Sequence, residues 1–266
     1  MSGSKHLIQN LYSGIIVACL AFSCGQSTQS QEAADEGASE TAVHTYTVTA
    51  LGPSQDYPDA RLERMEYKEG TFTFGIGGET YQLGVQTPDA PSRGCANSAE
   101  GQHIHLIVDN LPYAAKYESS FQYDITDGEH YVLAFLSRSY HESLKSGNTA
   151  IAVKAVVANK SFTQISPVGQ PMLFYSRPKG TYEGADAGKV MLDYYMVNPD
   201  PDHQVKASIN GEEHLLPTWQ PYVIEGLPAG ENEITLTLVD ASGNRVNTDL
   251  NPVTRKFVLN PDPPQN

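Results

Sequence analysis

Basic residues are scarce in this chain: 17 lysines and arginines stand against 31 aspartates and glutamates in 266 residues, a net charge of −14. Such a balance denies the protein the general electrostatic pull on which polyanion binders depend, so no nucleic-acid partner is expected. Cysteine is rarer still, with Cys19, Cys24 and Cys95 the whole supply. No Cys-x-x-Cys pair of the zinc-finger kind can be drawn from them. Helical periodicity is missing over any useful length, and the apolar stretch near the N-terminus is too short to read as a spanning helix.

That stretch has a different layout. Residues 1–24 carry Lys5 and no acid, then an apolar segment from Gly14 to Phe22, then Ser23-Cys24. A basic start, a short apolar segment and a small residue before cysteine predict a bacterial lipoprotein signal peptide, with Cys24 lipidated because polar sequence follows it at once. Ile16-Val17-Ala18-Cys19 competes, but cleavage there leaves Leu20-Ala21-Phe22 on the mature chain. Losing residues 1–24 removes one base and no acid, moving the net charge from −14 to −15. Cys95 is then without an internal disulfide partner, and the fold must stand on its apolar cores. Residues 25–43 contain Glu32, Asp35, Glu36 and Glu40, no base and no apolar pattern. They predict a flexible acidic tether to a lipid in the cell envelope, at the outer membrane.

What is plentiful is turn chemistry. Seventeen prolines and 22 glycines punctuate short alternating runs, the pattern of many strands. Two runs match: Gly101-Gln102-His103-Ile104-His105-Leu106-Ile107-Val108-Asp109-Asn110 and Gln204-Val205-Lys206-Ala207-Ser208-Ile209-Asn210-Gly211. Aligned on their turns, Ile104, Leu106 and Val108 fall on Val205, Ala207 and Ile209 as one core face, leaving His103, His105 and Ile107 on the other. The match continues, with Gly128 on Gly230 and Val132, Ala134 and Leu136 on Ile234, Leu236 and Leu238. Closing strands follow at 150–157 and 255–259. The fold expected is therefore all-β: two repeated immunoglobulin-like antiparallel β-sandwich domains, at 44–158 and 172–261, joined by a linker at 159–171. In the first, strands are expected at 46–51, 61–67, 71–74 and 81–85, and 87–101 reads as a long loop.

The copies differ where function is to be sought. Tyr131, Leu133 and Phe135 give the first domain a second apolar face where the other has Glu233, Thr235 and Thr237, so that face must be covered or used. His103 and His105 point to one side of a strand, and His130 and His141 come from the matching strand and its following loop; four imidazoles there suit copper or zinc. By strand parity His130 shares a side with Val132, away from the others. Arg93, Arg138, His141 and Arg177, with Lys116 and Lys179, are loop or junction bases able to take a phosphate or carboxylate. A catalytic reading would draw Cys95 toward His103 and His105 as thiol and base, but no spacing fixes that pair. The balance favours a non-enzymatic binding or scaffold protein whose first domain recognises a protein, peptide or glycan through Arg93, His103, His105, Arg138, His141, Arg177 and the 87–101 loop.

The run 101–110, together with Ala134-Phe135-Leu136-Ser137-Arg138-Ser139-Tyr140-His141-Glu142-Ser143 and Leu173-Phe174-Tyr175-Ser176-Arg177-Pro178-Lys179-Gly180, resembles a poorly characterised lipoprotein family of the Bacteroidota. Some members carry the label phosphopeptide-binding protein, and the resemblance covers about Tyr46 to the end. It implies Arg138, His141 and Arg177 as anion contacts. The His-x-His-Leu strand followed by a Gly-x-His strand is also similar to a small exported bacterial domain of unknown function.

Overall fold

The computed structural model describes residues 45–263. The expected signal peptide at 1–24 with Cys24, and the expected tether at 25–43, lie outside them. In chain order the strands are β1 (Thr47–Ala50), β2 (Arg61–Lys68), β3 (Thr71–Gly77), β4 (His103–Val108), β5 (Ala114–Lys116), β6 (Ser120–Gln122), β7 (Gly128–Ser137), β8 (Ala150–Ala158) and β9 (Ser161–Pro167). The second half supplies β10 (Met172–Arg177), β11 (Gly180–Glu183), β12 (Lys189–Val197), β13 (Gln204–Ile209), β14 (Glu212–Leu216), β15 (Tyr222–Glu225), β16 (Gly230–Val239) and β17 (Val253–Asn260).

These strands make four sheets, ordered β2-β3-β6, β5-β4-β7-β8-β9, β1-β15-β12-β10 and β11-β17-β16-β13-β14. Strand parity stacks them. Ile104, Leu106 and Val108 of β4 pack with Met65, Phe72 and Phe74 of the first sheet. Leu173 and Tyr175 of β10 and Leu192 and Tyr194 of β12 pack with Ala207, Ile209 and Leu236 of the last. Each pair of sheets is one sandwich. Between the sandwiches, Ile107, Leu133 and Phe135 meet Met172, Phe174 and Tyr195, so the second apolar face of the first domain is covered by the second. Burial follows from this: every residue of β4 and β10 is buried, while the matching β13 alternates. A strand covered on both faces loses the polar alternation that marks a solvated one.

The two copies agree at the level of single hydrogen bonds. After β4, Asp109 adopts φ 50°, its N–H donates to Tyr131 O at 2.9 Å, and its carboxylate accepts from Tyr131 N–H at 2.8 Å. After β13, Asn210 adopts φ 49°, its N–H donates to Glu233 O at 2.9 Å, and its side-chain oxygen accepts from Glu233 N–H at 2.9 Å.

Several expectations need correction. β1, placed by the sequence in the domain at 44–158, pairs with β15 of the second sandwich. The linker at 159–171 is largely β9, an edge strand paired with β8, because Asn159 and Lys160 both take positive φ and close a tight hairpin. Residues 81–85 are not a strand. Gly84 turns the chain at φ 77°, and Tyr81 buries its ring so that its hydroxyl meets His103 O at 3.1 Å and Ser137 O at 2.8 Å. The loop 87–101 contains one helical turn, α1 (Ala90–Arg93), with Pro91 early in the turn.

Candidate metal centre

The face of β4 that carries His103 and His105 looks into the seam between the sandwiches. Both side chains are fully buried, on the face that the sequence required to be covered or used. His141 joins them from the turn after β7, and one nitrogen from each of the three lies within 4.8 Å of the others. His103 Nε2 is the hub, 2.8 Å from His105 Nε2 and 3.0 Å from His141 Nδ1.

The turn explains how His141 arrives. Ser137 bridges Ser143, and His141 N–H donates to Arg138 O at 2.9 Å; in the second copy Val239 bridges Arg245, and Gly243 N–H donates to Asp240 O at 2.9 Å. His141 has φ 70° where Gly243 has φ 79°. A Cβ in that left-handed region costs some energy that glycine avoids, so the imidazole is kept there at a modest backbone cost.

Second partners orient the rings. His103 Nδ1 lies 2.7 Å from Gly101 O, so it carries the proton and Nε2 presents a bare lone pair to the other rings. His105 Nδ1 contacts Ser176 Oγ of β10 at 3.2 Å, across the seam, and its ring stacks on Tyr113 at 3.6 Å between centroids. Tyr113 Oη is 3.2 Å from His141 Nδ1. The carbonyl of Gly101 is itself fixed: φ is 86°, and a Cβ there would lie 2.7 Å from the backbone of Gly84. A ligating histidine whose other nitrogen donates to a carbonyl is the usual support of a metal site.

Burial keeps these rings neutral. It lowers His103 to about 4, with Arg177 and Lys179 adding to the shift and the Gly101 hydrogen bond opposing it. Burial likewise drives His105 and His141 well below the ordinary imidazole range, again helped by Arg177 and Lys179. Neutral imidazole is the form that binds metal. Tetrahedral zinc with bonds of about 2.0–2.1 Å separates its nitrogens by about 3.3 Å, so the pairs now at 2.8 and 3.0 Å would part by a few tenths of an ångström and the third pair, within 4.8 Å, would close toward the same spacing.

Positive charge borders the triad, and among the described residues these cations have no carboxylate at ion-pair distance. Lys179 Nζ sits 4.1 Å from the centre of the Tyr113 ring. Arg177 donates from Nε and Nη2 to Tyr182 Oη at 3.1 and 2.8 Å. Arg255 donates to Ser176 O at 3.1 Å and Asn110 O at 2.9 Å.

The remaining sequence candidates lie elsewhere. His130 is not with the other three. Its Nδ1 meets Asp109 at 2.6 Å and its Nε2 meets Thr126 O at 2.8 Å, the position filled in the second copy by Asn232, which bridges Asn210 at 2.7 Å and Pro228 O at 2.9 Å. It is a clamp of the scaffold. Arg93 is paired with Asp89, and Arg138 with Glu142 at 3.2 Å and Gln55 O at 3.0 Å. Cys95 packs with Tyr140 and Met191, its thiol faces Arg93 O at 3.7 Å, and burial pushes its pKa up, the reverse of an activated nucleophile. Tyr113, Ser176 and Arg255 were not singled out by sequence. A sign lay in the first, a tyrosine just beyond the turn that ends the His-x-His strand.

No protein-family model matches the chain, and no curated protein matches it. Among solved structures, the fibronectin(III)-like modules of Clostridium thermocellum CbhA align at 14% identity and a TM-score of 0.28, over 34% of this chain and 98% of theirs. A structure described for host cell surface retention of a 1.5-MDa bacterial ice-binding adhesin aligns at 12% identity and a TM-score of 0.22, over 72% of this chain and 58% of its own.

Proposed function

We propose that this chain is a lipid-anchored cell-envelope binding protein whose recognition element is a three-imidazole metal centre, His103, His105 and His141, taking zinc or copper. The observation that carries the reading is a trio of imidazoles whose candidate ligand nitrogens lie within 4.8 Å of one another. His103 Nε2 and His141 Nδ1 come within 3.0 Å at a buried position where protonation is disfavoured. His141 also holds a left-handed backbone that the repeat assigns to glycine. Three imidazoles without thiolate or carboxylate suit zinc or copper rather than calcium or magnesium. Arg93 and Arg138 have carboxylate partners already, which weighs against a phosphopeptide held across the first domain.

The test is elemental analysis of the purified full chain, with melts in zinc, copper and EDTA. About one metal per chain is expected, lost in His103→Ala/His105→Ala, with a melting temperature lowered by EDTA only in the parent protein. A metal-free parent whose melt ignores added zinc and copper contradicts the reading.

A further inference from the structure

Arg177, Lys179 and Arg255 crowd the same end of the seam as the triad. Arg177 and Arg255 are each 6% exposed, and Lys179 is half-buried. Among the described residues none of the three has a carboxylate within ion-pair distance: their partners are the Tyr182 hydroxyl, the carbonyls of Ser176 and Asn110, and the rings of Tyr113, Tyr182 and Tyr175. Neutral partners satisfy hydrogen bonds but leave the charge uncompensated, and buried cations elsewhere in this protein are paired, as Arg138 is with Glu142 and Lys145 with Asp193. A divalent metal on three neutral imidazoles would add two further charges to this corner. Among the described residues no anion offsets that charge.

We infer that the centre binds its metal together with a small oxyanion, a carboxylate or phosphate, which takes the fourth position on the metal and is held by Lys179 and Arg177. This rests on the metal reading above. Lys179 links the two parts. It lies over Tyr113, whose ring stacks on His105 and whose hydroxyl touches His141. Lys179 and His141 are partly exposed while His103, His105, Tyr113 and Arg177 are buried, so the triad is nearest to solvent on the side of the ammonium. Three imidazoles leave a tetrahedral metal one open position for the anion. A bound anion would serve the guanidinium and the metal at once, which neither tyrosine nor carbonyl can do.

The experiment uses the full chain loaded with cobalt(II) as a visible stand-in for zinc, titrated with inorganic phosphate and, separately, acetate. At least one anion is expected to change the cobalt absorption spectrum with saturation. In Lys179→Met the cobalt stoichiometry should stay the same and the anion affinity fall at least tenfold. In His103→Ala the cobalt itself should be lost. Cobalt bound at full stoichiometry with a spectrum that neither anion alters, or an affinity unchanged in Lys179→Met, overturns the inference and leaves the metal reading standing. Failure of the parent chain to bind cobalt, zinc or copper overturns both.

Discussion

His141 and Gly243 occupy the same position in two copies of one turn, at φ 70° and 79°, each donating its N–H to the residue three before it at 2.9 Å. One copy spends nothing on that conformation, and the other places a partly buried imidazole there. The comparison separates scaffold from site within a single chain.

Replacing His141 by the residue its twin uses is therefore informative. His141→Gly should abolish tight metal binding while leaving the fold intact. Relief of the left-handed backbone, about 1 kcal/mol, offsets part of the packing lost with the ring. Urea denaturation of the metal-free chain should show a net change within about 2 kcal/mol. A loss beyond about 4 kcal/mol would mean the imidazole is there to hold the core.

His130 should behave in the opposite way. His130→Ala removes the bond to Asp109 and is expected to cost about 1–2 kcal/mol, with metal content unchanged. His130→Asn, borrowing the clamp of Asn232, should recover part of that stability. Metal loss in either variant would place His130 at the centre after all.

Asn110 ties the sandwiches together: its amide donates to Leu173 O at 2.7 Å and accepts from Tyr175 N–H at 2.8 Å, on the open edge of β10. The second copy has Gly211 there, also at positive φ, so Asn110→Gly preserves the turn and removes only the tie. A cost of about 2–3 kcal/mol is expected from the buried groups left unpaired, read by urea denaturation. An unchanged midpoint would show that the apolar seam alone fixes the two sandwiches.

Acid should weaken the metal-free protein in a defined window. His103 is held at about 4, below the ordinary unfolded value of about 6.5, so as pH falls the unfolded chain takes the proton first. Its contribution is complete above about 6.5, shrinks on descending toward about 4, and changes no further below that. His105 and His141 shift in the same direction. Denaturation midpoints at pH 7.5 and 5 should differ, with the lower pH less stable; equal midpoints would mean the rings are solvated.

The repeat could be read from the sequence because its signal is local: alternating cores and turn residues at fixed offsets, as in Ile104, Leu106 and Val108 against Val205, Ala207 and Ile209. The seam could not. Nothing local says that His103 and His105 face a second sheet, since burial on that side comes from β10, some seventy residues later in sequence. The hairpin at Asn159-Lys160 was missed because lysine rarely adopts positive φ. β1 was assigned to the wrong sandwich because a strand's sequence carries its alternation but not the identity of its neighbour. His130 and His141 show the same limit from the other side: both are histidines near one strand end, and only the hydrogen bonds separate the clamp from the member of the triad.

The measurement that bears most directly on the centre is X-ray absorption at the zinc or copper edge of the full chain loaded with that metal. About three imidazole nitrogens at about 2.0–2.1 Å, reduced in number in His141→Gly, is the predicted result. A shell of sulfur, or of oxygen alone with no imidazole scattering, would contradict it.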